Sequence, residues 1–470
     1  MNLSDLRNKL TSVGQGHVLQ FFDQLGESSK QKLIGQLEAL DLNRIDELVK
    51  TQVKVKAAIS LPHDIKPVDA FPRHADEKHR QQYQDAQKRG HELLKQGKIA
   101  AFLVAGGQGT RLGYDGPKGE YPVTPVKNKP LFQVFAEQLL AHSRAAGHAI
   151  PWYIMTSDAN DAATRTFFKK HNYFGYDSAN IMFFQQGMMP AFSMDGKMLL
   201  AAKDSLALSP DGHGGSFRAL ETSGALADMQ KRGVEHLSYF QVDNPLVHCI
   251  DPLFLGLHDL AGSEMSSKTI PKAEPLEKVG NFVIGDGKLQ VIEYSDLPKE
   301  MALQVNADGT PRFNSGSIAI HAVRVSFVHR LNSGGRLNLP WHRAEKKVPF
   351  VDASGKEVKP DSPNAIKLEQ FVFDAIPLAK NAIVYTTDRS EEFSPVKNAR
   401  GVDSPATCKR DQIRRAARWL SGIGVEIPAK DNEPDATLEI SPLFAANQDQ
   451  LARRKVSVKS PLKGQTLYIE

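Results

Sequence analysis

Ile99-Ala100-Ala101-Phe102-Leu103-Val104-Ala105-Gly106-Gly107 is the stretch that decides the fold. A short apolar run that ends in glycines predicts a buried strand followed by a tight turn. Gln108-Gly109-Thr110-Arg111-Leu112-Gly113 continues the loop, and Pro117-Lys118-Gly119 follows closely. Because open α/β sheets bind ligands at the carboxyl ends of their strands, this loop is predicted to be a ligand site.

The segments downstream alternate between strand and helix patterns. A helix is predicted over Leu131–Ala146, which Pro130 can start and Gly147 can stop. Further predicted strands are Trp152 to Thr156, Ile181 to Gln185 and Leu237 to Val242. Such alternation predicts an α/β fold with a parallel sheet covered by helices on both faces.

The two ends of the chain differ from this middle part. Leucines at helical spacing, such as Leu3, Leu6 and Leu10, predict an N-terminal helical segment. Shorter strands are predicted beyond residue 280, at Leu289–Tyr294, Ser317–Ala322 and Ile383–Thr386. We therefore predict a helical segment over residues 1–97, a catalytic domain over 98–400 and a small unit over 401–470.

Composition narrows the class of protein. A net charge of +5 over 470 residues is too small for a nucleic-acid-binding signature, so no nucleic-acid partner is expected. The two cysteines, Cys249 and Cys408, exclude a disulfide scaffold and a CxxC zinc site. The N-terminus lacks an apolar signal segment, and no apolar run is long enough for a membrane span. We expect a cytoplasmic protein with no membrane partner.

The glycine-rich loop carries the chemistry of a phosphate site. Glycines let backbone N–H groups approach phosphate oxygens, and Arg111 and Lys118 add positive charge. A dinucleotide-binding loop is excluded, because its third glycine would fall at Leu112, and a Walker A ending is absent. The alternative, a turn without a ligand, does not require Arg and Lys so close to the glycines.

Several motifs in one order resemble the UDP-sugar pyrophosphorylases, specifically the eukaryote-type UDP-N-acetylglucosamine pyrophosphorylases. The resemblance extends from the N-terminal helices to about residue 410. Besides the glycine-rich loop, its motifs are Gln185–Ala191, Pro210–Gly215, Val242–Asn244, Val291–Ser295, Phe371–Asp374 and Phe393–Asn398. The resemblance implies a nucleotidyltransferase-type, Rossmann-like mixed sheet with helices on both faces.

The resemblance also implies the residues of the reaction centre. Asp243, which follows a predicted strand, is expected to bind Mg²⁺, with Mn²⁺ as a substitute, although an acidic residue there is commonly a turn former. Arg111, Lys118 and Lys397 are the expected catalytic residues. Gly106, Gly107, Gly109 and Thr110 are expected to bind the phosphates of UTP. Whether a second protein group binds the metal is left open.

Other matched positions are expected to bind the uracil and the sugar. The uracil group is Gln186, Pro210, Gly212 and His213, and the sugar group is Gly280, Glu293, Asn314, Phe371 and Phe373. The two phenylalanines would share one face of a strand, or they belong to the core. The chain departs from the family at His213, where animal members have Asn, and at Lys278, Ser317 and Ile320. The last three departures concern the choice of sugar.

The implied reaction joins UTP to N-acetylglucosamine 1-phosphate and releases pyrophosphate, by in-line attack of the sugar phosphate on the α-phosphorus. No general base is needed, since a phosphate monoester is mostly deprotonated at pH 7. A UDP-glucose or broad-specificity UDP-sugar pyrophosphorylase is the alternative enzyme. Two other classes are a non-catalytic nucleotide-sugar-binding protein and a glycosyltransferase, which would usually have an Asp-x-Asp motif. The oligomeric state is not predicted.

Overall fold

The computed structural model describes residues 2–55, 61–454 and 458–470. Its contacts define two compact units, each built from separate stretches of the chain. The smaller unit combines Met1–Leu61, Gln186–Ser216 and Asn338–Asp374, and the larger unit contains the remaining residues. These units do not follow the predicted consecutive spans 1–97, 98–400 and 401–470, which stay predictions as domain boundaries.

A ten-stranded mixed sheet forms the frame of the larger unit. Its strands are β1 (Ile65–Pro67), β2 (Ile99–Val104), β3 (Trp152–Thr156), β4 (Ile181–Gln185), β5 (His236–Gln241), β6 (Met265–Pro271), β7 (Asn281–Gly285), β8 (Lys288–Ile292), β9 (Ser315–Arg324) and β10 (Ile383–Thr386). The main order is β1-β7-β9-β5-β2-β3-β4, while β8 pairs with β7, and β6 pairs with β9 and β10.

The sheet is parallel only in part. β5, β2, β3 and β4 run parallel, with His236 opposite Ile99 and Ala101 opposite Trp152. β9 lies antiparallel to β5, so the parallel sheet predicted from alternation extends only to these four strands and to the β6–β10 pair. The mixed sheet implied by the family resemblance is confirmed.

Helices cover both faces of this sheet. Ile99, Ala101 and Leu103 alternate onto one face, where they join the core beneath the helices Arg80–Lys95, Leu131–Ala146 and Pro252–Leu260. On the opposite face, the hydroxyl of Tyr153 donates to Oδ2 of Asp228 (2.7 Å) in the helix Ala225–Arg232. The predicted helix Leu131–Ala146 is confirmed at both ends, and Gly147 ends it at φ 85°.

Two glycines let the helices Arg80–Lys95 and Pro252–Leu260 cross closely. A Cβ on Gly90 would lie 1.8 Å from the Pro252 carbonyl oxygen, and one on Gly256 would lie 1.8 Å from that of Ala86. Any larger side chain at either glycine would push the helices apart.

The remaining helices of the larger unit are Asp161–Lys170, Lys299–Ala302, Val325–Leu331, Arg389–Glu392, Pro405–Ser421 and Gln448–Arg453, and Ser216–Thr222 spans the boundary between the units. Ser404 starts Pro405–Ser421 with a capping box. This helix packs on the parallel strands Ala436–Ile440 and Gln465–Ile469, and buried Trp419, Leu420 and Leu438 share a local core there. Two short strands, Ala429–Lys430 and Glu433–Pro434, complete the region.

The smaller unit has a core of its own. The helices Leu3–Ser12, Glu27–Glu38 and Leu42–Leu48 contribute the leucines predicted from helical spacing, including Leu6, Leu10, Leu33 and Leu37. They pack on short antiparallel strands: Met188–Pro190, Phe192–Ser193, Leu200–Ala202, Ser205–Leu206, Leu208–Pro210, His342–Lys346, Phe350–Val351, Glu357–Val358 and Ala365–Glu369. Among the described residues, no helix is both long and apolar enough to cross a membrane.

Candidate active site

The glycine-rich loop after β2 is folded back on itself. The N–H of Gly109 donates to the Gly116 carbonyl (2.8 Å), and the N–H of Lys118 donates to the Gly107 carbonyl (3.1 Å). Short 3₁₀ turns over Thr110–Leu112 and Lys118–Glu120 lie on either side of this closure. The closure places Lys118 beside the glycines that precede Gln108.

Two polar side chains after β3 hold the carbonyl groups of this loop. Nδ2 of Asn160 donates to the carbonyls of Ala105 (2.9 Å) and Gly107 (3.2 Å). Oγ of Ser157 donates to the Gly106 carbonyl (2.9 Å). The N–H groups of Gly106 and Gly107 donate to no described residue and are therefore available to phosphate oxygens. Asn160 and Ser157 were not predicted from the sequence, because polar residues after a strand are common.

Gly109 has a different role from Gly106 and Gly107. It is buried, its N–H already binds Gly116, and a Cβ would lie 2.9 Å from the side chain of Tyr114. Gly109 therefore permits the tight fold of the loop and offers no N–H to a phosphate. Thr110 and Arg111 are exposed at the outer side of the loop.

Asp243, which follows β5, lies near Lys118, and so do Lys397 and Arg111. Burial lowers the pKa of Lys118, Asp243 opposes this shift, and the charges of Lys397 and Arg111 lower the pKa further. Neither Arg111 nor Lys118 forms an ion pair with a carboxylate of the described residues at contact distance. The structure thus brings together Arg111, Lys118, Asp243 and Lys397, with positive charge in excess. Such an excess suits a polyphosphate.

Asn244 holds the segment that carries Lys397. Its Nδ2 donates to the Glu392 carbonyl (2.7 Å), and its Oδ1 accepts the N–H of Ser394 (3.2 Å). The buried Asn244 therefore clamps the chain between the helix Arg389–Glu392 and Lys397. From the sequence, Asn244 was assigned only to the motif Val242–Asn244, without a role of its own. The one sequence feature that could have pointed to Asn244 is its position directly after Asp243.

Asp403 is a second carboxylate that the sequence analysis did not select. Its carbonyl accepts the N–H groups of Lys397 (2.7 Å) and Asn398 (3.0 Å), and its Oδ2 lies 3.8 Å from Nζ of Lys397. Burial raises the pKa of Asp403, Lys397 lowers it, and Asp243 raises it again. Asp403 adopts φ 55°, a left-handed conformation that Asp tolerates better than most residues.

The donor set fits a magnesium ion at Asp243. The Asp243 carboxylate is partly exposed and accepts no hydrogen bond from a described residue, so its oxygens are uncommitted. Mg²⁺ usually binds one or two carboxylates together with substrate phosphates and water. A different acidic cluster, His248, Asp251 and Glu392, already contains a cation. The Lys268 ammonium lies 2.6 Å from Asp251 Oδ2 and 2.5 Å from Glu392 Oε1.

The predicted sugar residues of the larger unit lie around the β7–β9 region. A Cβ on Gly280 would lie 3.3 Å from Oε1 of Glu293 and 3.7 Å from Cβ of Ser317. Oδ1 of Asn314 accepts the N–H of Lys272 (2.9 Å), so part of this side chain holds the backbone. Ile320, one of the departures from the family, is 3% exposed and belongs to the core. It is therefore not a sugar contact.

In the smaller unit, a second group of predicted residues surrounds Asp211. Nε2 of Gln186 donates to the Gly212 carbonyl (2.8 Å) and lies 3.4 Å from Oδ1 of Asp211. A Cβ on Gly187 or Gly215 would lie 2.3 or 2.1 Å from an oxygen of this carboxyl. Burial raises the pKa of Asp211 to about 7. From the sequence, Asp211 was only part of a motif. Pro210 precedes it at the end of a strand.

His213, Phe371 and Phe373 form one aromatic cluster. The rings of His213 and Phe371 stack at 5.2 Å, and those of Phe371 and Phe373 lie 5.2 Å apart. The prediction that the two phenylalanines share one face of a strand is wrong, because the strand ends at Glu369 and a 3₁₀ turn begins at Val372. Neither belongs to the core, since both are partly exposed.

His213 is fixed as a neutral hydrogen-bond donor. The N–H of Val372 donates to its Nδ1 (3.0 Å), so Nε2 carries the ring proton. Burial, together with the nearby His342, lowers the pKa of His213 to about 4. At neutral pH the ring therefore offers an N–H donor.

Comparisons with known proteins cover nearly the whole chain. The model of the family described as UTP–glucose-1-phosphate uridylyltransferase matches residues 51–402. Human UDP-N-acetylhexosamine pyrophosphorylase-like protein 1 is 37% identical over 95% of this chain and 94% of its own length. Saccharomyces cerevisiae UDP-N-acetylglucosamine pyrophosphorylase is 35% identical over 90% and 92%, respectively. The solved Trypanosoma brucei UDP-N-acetylglucosamine pyrophosphorylase, an inhibitor complex, has a TM-score of 0.82 and 25% identity over 100% and 99%.

Proposed function

Since this chain belongs to the UTP–glucose-1-phosphate uridylyltransferase family, we propose that it joins UTP to N-acetylglucosamine 1-phosphate and releases pyrophosphate. The observation that carries this proposal is the group of Arg111, Asp243 and Lys397 near Lys118, next to the unpaired N–H groups of Gly106 and Gly107. Such a group can hold a triphosphate and stabilise added charge at its α-phosphorus. The names of the relatives in yeast and Trypanosoma brucei support the choice of sugar.

The chain supplies positioning and electrostatic stabilisation to the transfer. The loop N–H groups and Arg111 bind the β- and γ-phosphates, which leave as pyrophosphate. Lys118 and Lys397 face the α-phosphate and stabilise its charge as the sugar phosphate oxygen attacks in line. Asn244 and Asp403 hold Lys397 in place. No residue needs to remove a proton, because the attacking phosphate is already mostly ionised at pH 7.

A magnesium ion is part of this proposal. Asp243 would hold it, Asp403 is the nearby carboxylate that can assist, and Mn²⁺ would substitute. When bound, the metal neutralises phosphate charge and orients the triphosphate.

Base recognition is proposed for the smaller unit. Gln186, with its amide held by Gly212, and the Nε2–H of His213 offer acceptor and donor groups that match a uracil edge. The aromatic rings of Phe371 and Phe373 offer apolar surface to an acetamido methyl group. A cytoplasmic location belongs to the same proposal, since UTP and sugar phosphates are found there.

The test measures pyrophosphate release from UTP and Mg²⁺ with N-acetylglucosamine, N-acetylgalactosamine and glucose 1-phosphates in parallel. We expect the highest kcat/KM with N-acetylglucosamine 1-phosphate. Higher kcat/KM with glucose 1-phosphate would indicate that the protein is a UDP-glucose pyrophosphorylase. Binding of UTP without pyrophosphate release from any of the three would refute catalysis and favour a nucleotide-binding protein.

A further inference from the structure

The larger unit also has a cavity that contains none of the residues assigned to the transfer reaction. It has a volume of about 630 Å³ and lies among the helices Arg80–Lys95, Leu131–Ala146 and Gln448–Arg453. Four exposed cations line it: Lys95, Arg144, Arg453 and Arg454. None of the four pairs with a carboxylate of the described residues, although Arg454 donates to the Leu443 carbonyl (3.3 Å).

Most carboxylates of the same cavity are already neutralised. Asp388 lies 3.3 Å from Nε of Arg73, and Glu391 lies 2.8 Å from Arg418. Asp251 and Glu392 share the Lys268 ammonium described above. Among the described lining residues, the exposed Asp449 is the one carboxylate without such a partner. The unpaired charge of the cavity is therefore positive.

The histidines His91, His142 and His248 also line the cavity. His142 is 4% exposed, lines the cavity and forms no hydrogen bond with a described residue. Burial lowers the pKa of His91, and both Arg453 and Lys95 lower it further, which places these two cations near one imidazole. Buried nitrogen atoms without a partner are costly unless a ligand or water pairs with them. Nε2 of His248 is a buried nitrogen of this kind.

The inner end of the cavity adjoins the segments that carry the reaction centre. His248 lies five residues after Asp243, and Glu392 lies five residues before Lys397. Nδ1 of His248 is 3.5 Å from Oε1 of Glu392, and Asn244 holds the Glu392 carbonyl. The Glu392 carbonyl is bonded to Asn244, the neighbour of Asp243, and Glu392 lies on the same segment of chain as Lys397.

We propose that this cavity binds a phosphate monoester of a small metabolite and regulates the transfer through Glu392. Arginine recognises phosphate oxygens with paired N–H groups, and three of the four unpaired cations are arginines. The volume is in the range of small-molecule sites, so it suits a phosphorylated metabolite rather than a macromolecule.

The binding test uses glycerol 2-phosphate as the probe and glycerol as its uncharged control. Saturation-transfer NMR at constant ionic strength measures the binding of both. We expect a millimolar Kd, and an increase of roughly tenfold or more in the Arg144→Gln/Arg453→Gln double variant. Arg80→Gln, a change at an exposed arginine outside the cavity, should leave the Kd unchanged. Equal binding to wild type and double variant, or no binding to either, would overturn the proposal.

Two further measurements separate this site from the phosphate loop. Binding should persist in Arg111→Ala/Lys118→Ala, whether or not the protein catalyses the proposed transfer. Loss of binding there would assign the probe to the phosphate loop and overturn the second site. In wild type, the probe should change kcat at saturating substrates by about twofold or more, and the double variant should not respond. Binding without any change in kcat would refute the regulatory part.

Discussion

The N–H of Val396 donates a 2.7 Å hydrogen bond to the carbonyl oxygen of Asp243. This bond joins the end of β5 to the loop that carries Lys397, although the two residues are far apart in sequence. Asn244 strengthens the connection from the next position, through its bonds to Glu392 and Ser394. The position of Lys397 therefore depends on a side chain that touches no substrate in the proposed reaction.

Asn244→Ala should lower kcat by about tenfold to a hundredfold with a smaller change in KM, because a displacement of about 1 Å at a reacting group can cost that much. Steady-state kinetics with both substrates measures the effect. Asn332→Ala is the matched control, since Asn332 is also buried and also holds backbone carbonyls, those of Phe217 and Val328. Equal losses of kcat in both variants would point to general destabilisation.

Asp243→Asn should reduce turnover by about 10² or more while the fold is kept, because the amide is nearly isosteric and lacks the charge that holds Mg²⁺. Turnover is measured across a Mg²⁺ titration, with thermal unfolding as the check on folding. Asp308→Asn, at an exposed turn, should behave as wild type. Normal turnover of Asp243→Asn at saturating Mg²⁺ would remove Asp243 from the metal site.

Arg111→Ala and Lys118→Ala should each lower kcat/KM by about tenfold to more than a hundredfold, since a charged hydrogen bond to phosphate contributes roughly 1.5–3 kcal/mol. Lys118→Ala should have the larger effect on kcat, because its ammonium lies near Asp243 and Lys397. Initial rates at varied UTP separate the two parameters. A change confined to KM would assign Lys118 to ground-state binding.

Asp211→Asn should change how stability depends on pH. The folded-state pKa of about 7 is above the unfolded value near 3.8, so the folded protein binds more protons. The resulting stability is fully present below pH 3.8 and is lost as the pH rises through 7. Between pH 5 and 8, the free energy of unfolding measured in urea should decline by roughly 2–3 kcal/mol less in Asp211→Asn than in wild type. Parallel curves for the two proteins would place the Asp211 pKa near its ordinary value.

Asn314→Asp should reduce the preference for N-acetylglucosamine 1-phosphate over glucose 1-phosphate by roughly 5- to 150-fold. The new carboxylate can still accept the Lys272 N–H, which an Ala side chain cannot, so Asp tests the amide donor more cleanly. The ratio of kcat/KM for the two sugar phosphates is the measurement. An unchanged ratio with normal turnover would place the acetamido contact elsewhere.

The sequence by itself determined the elements whose signals are local. Alternation and apolar runs predicted Trp152–Thr156, Ile181–Gln185 and Ile383–Thr386, and the flanking Pro130 and Gly147 predicted both ends of Leu131–Ala146. These signals depend only on residues that are close in sequence, so they can be interpreted without knowledge of the tertiary structure. The order of the motifs also determined the family, and with it the types of residue at the phosphate loop.

Only the tertiary structure decided which distant residues meet. The pairing of β5 with β2 places Asp243 beside the glycine loop, and the bonds of Asn244 and Val396 bring Lys397 and Asp403 to the same place. A 3₁₀ turn that begins at Val372 stands where a strand was expected for Phe371 and Phe373, and burial alone gave Asp211 its raised pKa. No local pattern encodes these features, because each depends on packing between segments that are distant in the chain.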